Sequence, residues 1–293
     1  MYKFSCILLI FLAASGVFAE ANIGISGTVD WTDMQVSSQV LLDLASAGLK
    51  LPAGRTQGET FLTSGYSNLI SSCLLEIQVD SSSVIGDLVN SGRVSLTQIE
   101  QVALGAKTVA PALTPDMRNI FTNQTISMSS ISAALLQHNR PSPVMRTLNP
   151  VSSAGYTGII IIAIDELPMH GMKSSSLAVP CLFPKIWDSK MNLIYERAML
   201  ENKDITMVKY SSIDNIFKNN PTGLSDKLRE TVGDKPLRIF ARGVFGIKPT
   251  DLIIEKDDAM LIISSEENRR LLSQGKVVII LDDSVLKYEF AAR

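Results

Sequence analysis

The chain has 293 residues, with 27 basic and 29 acidic side chains and a formal net charge of −2. This balance argues against a nucleic-acid partner, because nucleic-acid-binding proteins usually carry a basic patch, and it provides no general attraction to anionic lipid. The length allows one large domain or two smaller ones.

The N-terminus has the features of a secretory signal peptide. Lys3 supplies a positive charge, residues 4–14 are apolar, and small residues follow. We predict a signal peptide at residues 1–19, cleaved between Ala19 and Glu20. The alternative is a membrane anchor, but the apolar stretch is short for a hydrocarbon layer of about 30 Å. Glu20 occupies the position where a lipoprotein has cysteine. The mature protein is therefore expected to be periplasmic or secreted, without a transmembrane segment.

Two cysteines, Cys73 and Cys181, remain after cleavage. In an oxidising compartment they could form a disulfide, which would contribute roughly 4 kcal/mol on the chain-entropy model. They could instead be two separate buried thiols, because cysteine is among the most frequently buried residues. The sequence provides no distance between them, so both interpretations stay open.

A glycosylation sequon is formed by Asn123, Gln124 and Thr125. It matters only in a eukaryotic secretory pathway. Short sequons also arise by chance, so this one does not identify the compartment.

The region 20–138 is predicted to be helix-rich α+β. Apolar residues at helical spacing within 36–45 predict a first helix, with Asp33 as N-cap and Gly48 as its C-terminal stop. A second helix is predicted over residues 61–74, because apolar or small pairs recur there every four residues. Cys73 lies on that apolar stripe, in agreement with a buried thiol.

Shorter signals follow in the same region. Residues 77–79 alternate as a strand does, and the sequence DSSS at 80–83 is typical of a turn. Ser95 and Gln98 form a capping-box pattern, which predicts a helix that ends before residue 111. Residues 125–138 fit either a strand with a bulge or a strand that changes to a helix.

Residues 139–155 contain three prolines and several small polar residues without any period. This composition predicts a linker or a long surface loop. We place a possible domain boundary here, although both sides could share one core.

The region 156–293 is predicted to be an α+β domain. The uninterrupted apolar run 159–164 predicts a strand buried on both faces. Two short strands, 182–187 and 192–196, are predicted to form a hairpin through a turn at 188–190.

The C-terminal part of this region contains further regular signals. Strands are predicted at 237–244 and 252–254, followed by one helix capped by Asp257 and another capped by Ser264. A final strand is predicted at 277–281. The predicted fold class is thus α+β, with a helix-rich N-terminal half and a C-terminal mixed sheet that contains a hairpin and a strand–helix–strand unit.

Candidate catalytic residues are few. The chain has only two histidines, His138 and His170, and neither belongs to a zinc-binding motif. Asp165 and Glu166 precede His170 after a predicted strand, but prolines and glycines there favour a solvated loop. A pairing of Cys181 with His170 as a thiol nucleophile is an alternative that the fold would have to assemble.

Phosphate-binding patterns are missing, and we expect no cofactor. The segment 246–251 has a lysine in a glycine-containing turn, but Pro249 removes a backbone N–H that a phosphate nest would use. The segment 266–270 is expected to be a solvated helix surface, with Glu266 and Arg270 forming a pair at i,i+4.

Three parts of the second half follow a layout that is similar to a known group of envelope proteins. They are a Thr-Gly strand start, a proline-rich segment ending in Ile-Tyr, and a late glycine-lysine strand. The residues that carry the likeness are Thr157, Gly158, Pro180, Pro184, Ile186, Asp188, Ile194, Tyr195, Asp258, Ala259, Asn268, Arg269, Leu271, Leu272 and Gly275 to Ile279. This layout resembles the flagellum-associated outer-membrane lipoproteins and related spirochaete-type periplasmic proteins. The resemblance implies a non-enzymatic assembly or scaffold component, with no catalytic set to transfer.

These observations favour a secreted or periplasmic structural or interaction protein of the bacterial envelope, linked to flagellar or envelope assembly. Its partners would be other envelope proteins or further copies of itself. One alternative is a periplasmic ligand-binding module, which would have a deep apolar pocket between the two halves. Another is a hydrolase that uses Cys181 or a serine.

Overall fold

A computed structural model describes residues 22–136, 140–218 and 222–292 of the chain. The predicted signal peptide, the cleavage site at Ala19 and Glu20, and His138 lie outside the described residues.

The described residues form strands and helices in both halves of the chain. In chain order the strands are β1 (Ile23–Asp30), β2 (Gln35–Asp43), β3 (Lys107–Thr108), β4 (Ala112–Leu113), β5 (Asn119–Ser127), β6 (Ile159–Ala163), β7 (Leu167–Pro168), β8 (Ser175–Ser176), β9 (Ile186–Asp188), β10 (Leu193–Tyr195), β11 (Lys209–Ser211), β12 (Leu237–Phe245), β13 (Asp251–Ile254), β14 (Val277–Leu281) and β15 (Lys287–Ala292). The helices are α1 (Ala53–Leu74), α2 (Ile85–Asn90), α3 (Leu96–Leu104), α4 (Met128–Leu135), α5 (Asp226–Val232), α6 (Lys256–Ile263), α7 (Glu266–Ser273) and α8 (Asp283–Leu286). The predicted α+β class is confirmed.

The first sheet is antiparallel, with the strand order β15-β1-β2-β5-β3 and with β4 also paired to β5. Its edge strand β15 comes from the C-terminus of the chain. The last described residues therefore close the sheet that the first half begins, so the two halves are joined by main-chain hydrogen bonds as well as by the linking segment.

The prediction of a helix over 36–45 is wrong, because residues 36–43 lie in strand β2 and residues 44–45 lie in the turn that follows it. Val36, Ser38, Val40 and Leu42 are buried at a period of two. Several of the same apolar positions also fit helical spacing, and β1 and β5 decide between the two by pairing with both edges of β2. Asp33, the predicted N-cap, lies in the β1–β2 turn.

The other helix predictions in the first half are confirmed. Helix α1 begins earlier than predicted and packs against β2 and β5, with Gly58 close to Ile120 and Tyr66 hydrogen-bonded to Ser38. Ser95 caps α3 in the predicted capping box. For the segment predicted at 125–138, the described residues 125–136 follow the second of the two open interpretations, since β5 changes directly into α4.

The strand predicted around 77–79 is reduced to a single bridge between Gln78 and Val84. The turn at 80–83 reverses the chain immediately, so too few residues remain to extend the pairing. That turn was predicted and is confirmed by hydrogen bonds from its serines to the Asp80 carboxylate.

The second sheet is mixed, with the order β10-β9-β13-β12-β6-β14-β11. Strand β6 is central, pairs in parallel with β12 and β14, and is buried on both faces as predicted. Its odd-numbered residues face the main core, and its even-numbered residues face a smaller core beneath α5. The β9–β10 hairpin is confirmed, but its first strand begins at Ile186 instead of residue 182 and includes Asp188, which was predicted in the turn. The β13–α6–α7–β14 unit is also confirmed.

The caps of the last two long helices differ slightly from the prediction. Helix α6 has Glu255 as N-cap instead of Asp257, and α7 has Ser265 instead of Ser264. Ser265 accepts a hydrogen bond from the backbone N–H of Asn268 at 3.4 Å, so a serine neighbouring the predicted one supplies the same kind of cap.

One large hydrophobic core contains residues of both sheets, from Ile25 in β1 to Leu286 in α8. Residues 140–155, which the sequence marks as a linker or surface loop, have no helix or strand. The exact domain boundary stays a prediction, but side chains of both halves pack in the same hydrophobic core. Within the described residues, no helix is both long and apolar enough to cross a membrane.

Candidate functional site

The acidic residues and the histidine after β6 lie at the surface. Asp165, Glu166 and His170 are all exposed. The His170 backbone N–H donates to the carbonyl of Val244 at 2.8 Å, and its ring lies edge-on to Phe245 at 5.9 Å. Among the described residues, no three or more His, Cys, Asp or Glu side chains gather closely enough to hold a metal ion.

Cys73 and Cys181 are both free thiols, so the disulfide left open by the sequence is not formed. Cys181 is completely buried, and burial raises the pKa of its thiol far above the ordinary value. The Tyr210 hydroxyl holds the Cys181 main chain by donating to its carbonyl at 2.8 Å and accepting from its N–H at 3.0 Å. Cys73 is partly buried at the end of α1, where burial also raises its pKa. Each thiol thus has its own packing environment.

Among the described residues, the most deeply buried carboxylate is that of Asp251, the first residue of β13. Its side chain is 1% exposed. One oxygen accepts from the Lys185 backbone N–H at 3.1 Å and from the Thr250 hydroxyl at 3.2 Å. The other accepts from the Ser81 hydroxyl and from Trp187 Nε1, both at 3.3 Å. Burial raises the pKa of Asp251, and the hydrogen bonds oppose that change.

Ser81 belongs to the 80–83 turn of the first half, so Asp251 joins the two halves. We call this region the Asp251 joint, meaning Ser81, Lys185, Trp187, Thr250 and Asp251. Because the turn at 80–83, the segment 185–187 and the start of β13 are far apart in sequence, only the folded structure brings these groups together. The sequence does contain one signal, because an acidic residue precedes the apolar strand 252–254. That signal does not identify the hydrogen-bond donors that the carboxylate would meet.

The turn at 80–83 is closed by hydrogen bonds to its own carboxylate. Asp80 accepts from the backbone N–H groups of Ser82 at 2.9 Å and Ser83 at 3.0 Å, and from both hydroxyls. Burial raises the pKa of Asp80, but these hydrogen bonds and the charge of Arg197 outweigh it, so the pKa lies below its ordinary value.

Main-chain hydrogen bonds reinforce the joint. The N–H groups of Leu182 and Phe183 donate to carbonyls of residues 78 and 79 at 3.0 and 2.8 Å. The Lys248 N–H donates to the Ser81 carbonyl at 2.8 Å. Residues 246–250 form the turn predicted for this segment, and residue 251 already belongs to β13. Gly246 has a φ of 110°, and a Cβ there would lie 2.3 Å from the Ser81 Cβ. The segment therefore packs against the first half of the protein.

The segment 266–270 is only partly the solvated surface predicted. The Glu266–Arg270 pair is confirmed at 2.7 Å and is exposed. Asn268, in contrast, is 1% exposed. Its amide accepts from the Tyr156 N–H and donates to the carbonyls of Ala154 and Leu261. Asn268 thus fixes the end of the linking segment, because it faces the chain rather than the solvent.

The first sheet presents one face away from the core. The six central side chains of this face are uncharged and polar: Ser26 and Thr28 of β1, Ser37 and Gln39 of β2, and Asn123 and Thr125 of β5. We call these six residues the polar face. Ser26 is exposed and the others are partly exposed, while the alternate residues of β2 and β5 are buried under α1.

The strand register arranges the polar face in two rows across the sheet. Ser26, Gln39 and Asn123 form one row. Thr28, Ser37 and Thr125 form the next. Gln39 Nε2 donates to Asn123 Oδ1 at 3.0 Å, which orients both amides. The asparagine of the sequon is therefore part of a strand. Sequence reasoning missed this face because it assigned β2 to a helix.

An open cleft of about 380 Å³ lies between α3 and α4. It is lined by the N-cap of α3 and residues of α3 and α4: Ser95, Thr97, Gln98, Gln101, Val102 and Ala134. This cleft is shallow and separate from the Asp251 joint.

Comparison with known families finds two matches in consecutive parts of the chain. Residues 22–134 match the family of the Treponema pallidum Tp0624 N-terminal domain, and residues 158–283 match the family of its second domain. No curated protein matches the chain. The chain is thus similar, in the same order, to two domains of a spirochaete-type family without an assigned role. The predicted spirochaete-type resemblance is confirmed, whereas the similarity to flagellum-associated lipoproteins stays a prediction.

Proposed function

We propose that this protein is a secreted, non-enzymatic interaction protein of a spirochaete-type cell envelope and that it binds its partner through the polar face. The Tp0624-type matches support the envelope assignment. The N-terminal sequence supports export. The polar face is the observation that carries the binding role.

The composition of the polar face is unusual for a surface that serves only solubility. Antiparallel sheets often have one solvated face, and soluble surfaces commonly mix charges of both signs. Here the six central positions carry only hydroxyl and amide groups. Such groups offer hydrogen bonds without the strong hydration of a charge, so they suit a contact surface.

The polar face is also held on a rigid support. Helix α1 packs on the opposite side of the sheet, and the Tyr66 hydroxyl bonds to Ser38 in β2. Strand β15 and the Asp251 joint tie this sheet to the second half. A surface ordered before binding avoids part of the entropy cost of association.

The alternatives have weaker support. A hydrolase that uses Cys181 would need a reactive thiolate, but Cys181 is buried and its pKa is raised, both of which oppose nucleophilic attack. A ligand-binding module was expected to have a pocket between the halves, where core side chains and the Asp251 joint are packed. The narrower role in flagellar or envelope assembly has its support in the sequence resemblance alone.

The proposal is tested by photo-crosslinking in intact cells of the natural host. A benzophenone side chain at Ser37 samples the polar face, and the same group at exposed Glu230 of α5 is the matched control. We expect Ser37 to capture an envelope component or a second copy of the chain, and Glu230 not to do so.

Cell fractionation and N-terminal sequencing complete the test. The proposal requires an extracytoplasmic protein whose first residue is Glu20. A cytoplasmic protein that retains Met1, or equal capture from Ser37 and Glu230, overturns it.

A further inference from the structure

We propose that the ligand of the polar face is a neutral glycan, bound as an extended chain across strands β1, β2 and β5. This inference rests on the proposed function, because it names the chemical class that the same surface recognises.

The spacing of the polar groups suits a polymer with a short, regular repeat. Neighbouring strands of a sheet lie about 4.8 Å apart. The row Ser26, Gln39 and Asn123 therefore places three polar side chains at nearly equal intervals, and the second row repeats this arrangement. A glycan lying across the strands meets a hydrogen-bonding group at each step.

The chemistry of the six side chains matches a polyol. A serine or threonine hydroxyl both donates and accepts, and an amide has a donor and an acceptor in one plane. Sugar hydroxyls have the same dual character, so each can find a partner whichever way it turns. The Gln39–Asn123 hydrogen bond holds the two amides ready for this use.

The charges around the face favour a neutral ligand. The row through Thr28 and Ser37 ends at Glu289 on one side and Lys107 on the other, so its centre is uncharged. Asp30 and Lys287, at the end of the next row, pair with each other at 3.7 Å. An anionic or cationic polymer would gain little from these opposed charges.

An apolar row borders the polar face. Leu41 of β2 lies opposite Phe121 of β5, next to the row of Ser26, Gln39 and Asn123. Both side chains are partly exposed. Sugar rings have apolar C–H faces as well as hydroxyls, and an aromatic ring packs well against such a face.

Other occupants fit the surface less well. Interfaces between identical subunits are usually more apolar than this face, and membrane-binding surfaces combine apolar and basic side chains. These occupants are therefore outcomes that the experiment must separate from glycan binding.

The experiment is titration calorimetry of the mature chain, residues 20–293, with chitohexaose, cellohexaose and maltohexaose. A heparin hexasaccharide is the anionic control. We expect at least one neutral hexasaccharide to bind with little dependence on salt, and heparin not to bind. Binding of heparin alone, or of no neutral probe, overturns the inference.

Two variants localise the binding. The double variant Gln39→Ala, Asn123→Ala removes the oriented amides, and Ser37→Lys places a charge in the centre of the face. Each is expected to weaken binding at least tenfold. The matched control Asn68→Ala, Gln101→Ala changes exposed helical amides and leaves binding unchanged. If the control weakens binding as much as the face variants do, the inference fails.

The two proposals can fail separately. If Ser37 captures an envelope protein in cells while no hexasaccharide binds in vitro, the interaction role stands and the glycan assignment falls. If a neutral hexasaccharide binds but the natural protein is cytoplasmic, the glycan assignment stands and the envelope role falls.

Discussion

Removing the Asp251 carboxylate should destabilise the whole protein, because this carboxylate accepts hydrogen bonds from donors in both halves of the chain. In Asp251→Ala, the Lys185 and Trp187 N–H groups lose their acceptors, whereas the hydroxyls of Ser81 and Thr250 can turn elsewhere. Leaving a buried donor unsatisfied costs about 1–3 kcal/mol. Two fixed donors, one of them on a partly exposed tryptophan, give a loss of about 3 kcal/mol in the free energy of unfolding.

The variant Asp251→Asn refines this prediction. An amide keeps one oxygen acceptor, but its NH2 group must face either the Lys185 N–H or the Trp187 N–H. One fixed donor is then unsatisfied in either orientation, while the nearby hydroxyl can rotate to accept. We expect a loss of about 1–2 kcal/mol, smaller than that of the alanine variant.

Urea unfolding, followed by tryptophan fluorescence and circular dichroism, measures both effects. The change Asp204→Asn at an exposed position is the control and should stay within about 0.5 kcal/mol of the wild type. In thermal unfolding, a loss of 3 kcal/mol corresponds to a decrease in Tm of roughly 6–12 °C for a protein of this size. An Asp251→Asn variant as stable as the wild type would refute the reasoning.

Three further predictions concern individual residues. Asp80 has a lowered pKa in the folded protein, so it contributes stability at neutral pH that is lost as the pH falls below its ordinary pKa of 3.8. Urea unfolding at several pH values should therefore show the free energies of unfolding of the wild type and of Asp80→Asn converging in acid. A difference that stays constant with pH would contradict this. Asn268→Ala should cost about 2–3 kcal/mol in urea unfolding, because buried partners of its amide are left unpaired, and should speed proteolysis of the linking segment; an unchanged cleavage rate would count against that role. A thiol reagent should modify Cys73 in the native protein faster than the fully buried Cys181, which should react only on unfolding; equal rates, or no reaction of either in denaturant, would be inconsistent with two free thiols in these environments.

The amino-acid sequence determined the elements whose signals lie within a few residues of each other. The capping box of Ser95 and Gln98 acts within one helical turn, and the stripe of α1 repeats every four residues. The signals for β6, an uninterrupted apolar run, and for the β9–β10 hairpin also lie within short segments of the chain. These elements were predictable because propensity, capping and alternation depend mainly on neighbouring residues.

Tertiary structure decided the features that depend on distant partners. Strand β2 is a strand because β1 and β5 pair with its edges, although its apolar spacing also fits a helix. Strand β15 joins the first sheet from the other end of the chain. The Asp251 joint and the polar face exist only after these pairings, since their side chains come from strands and turns far apart in sequence. The spacing of residues along the chain carries no information about which edge will meet which, and for that reason both candidate regions emerged only from the folded protein.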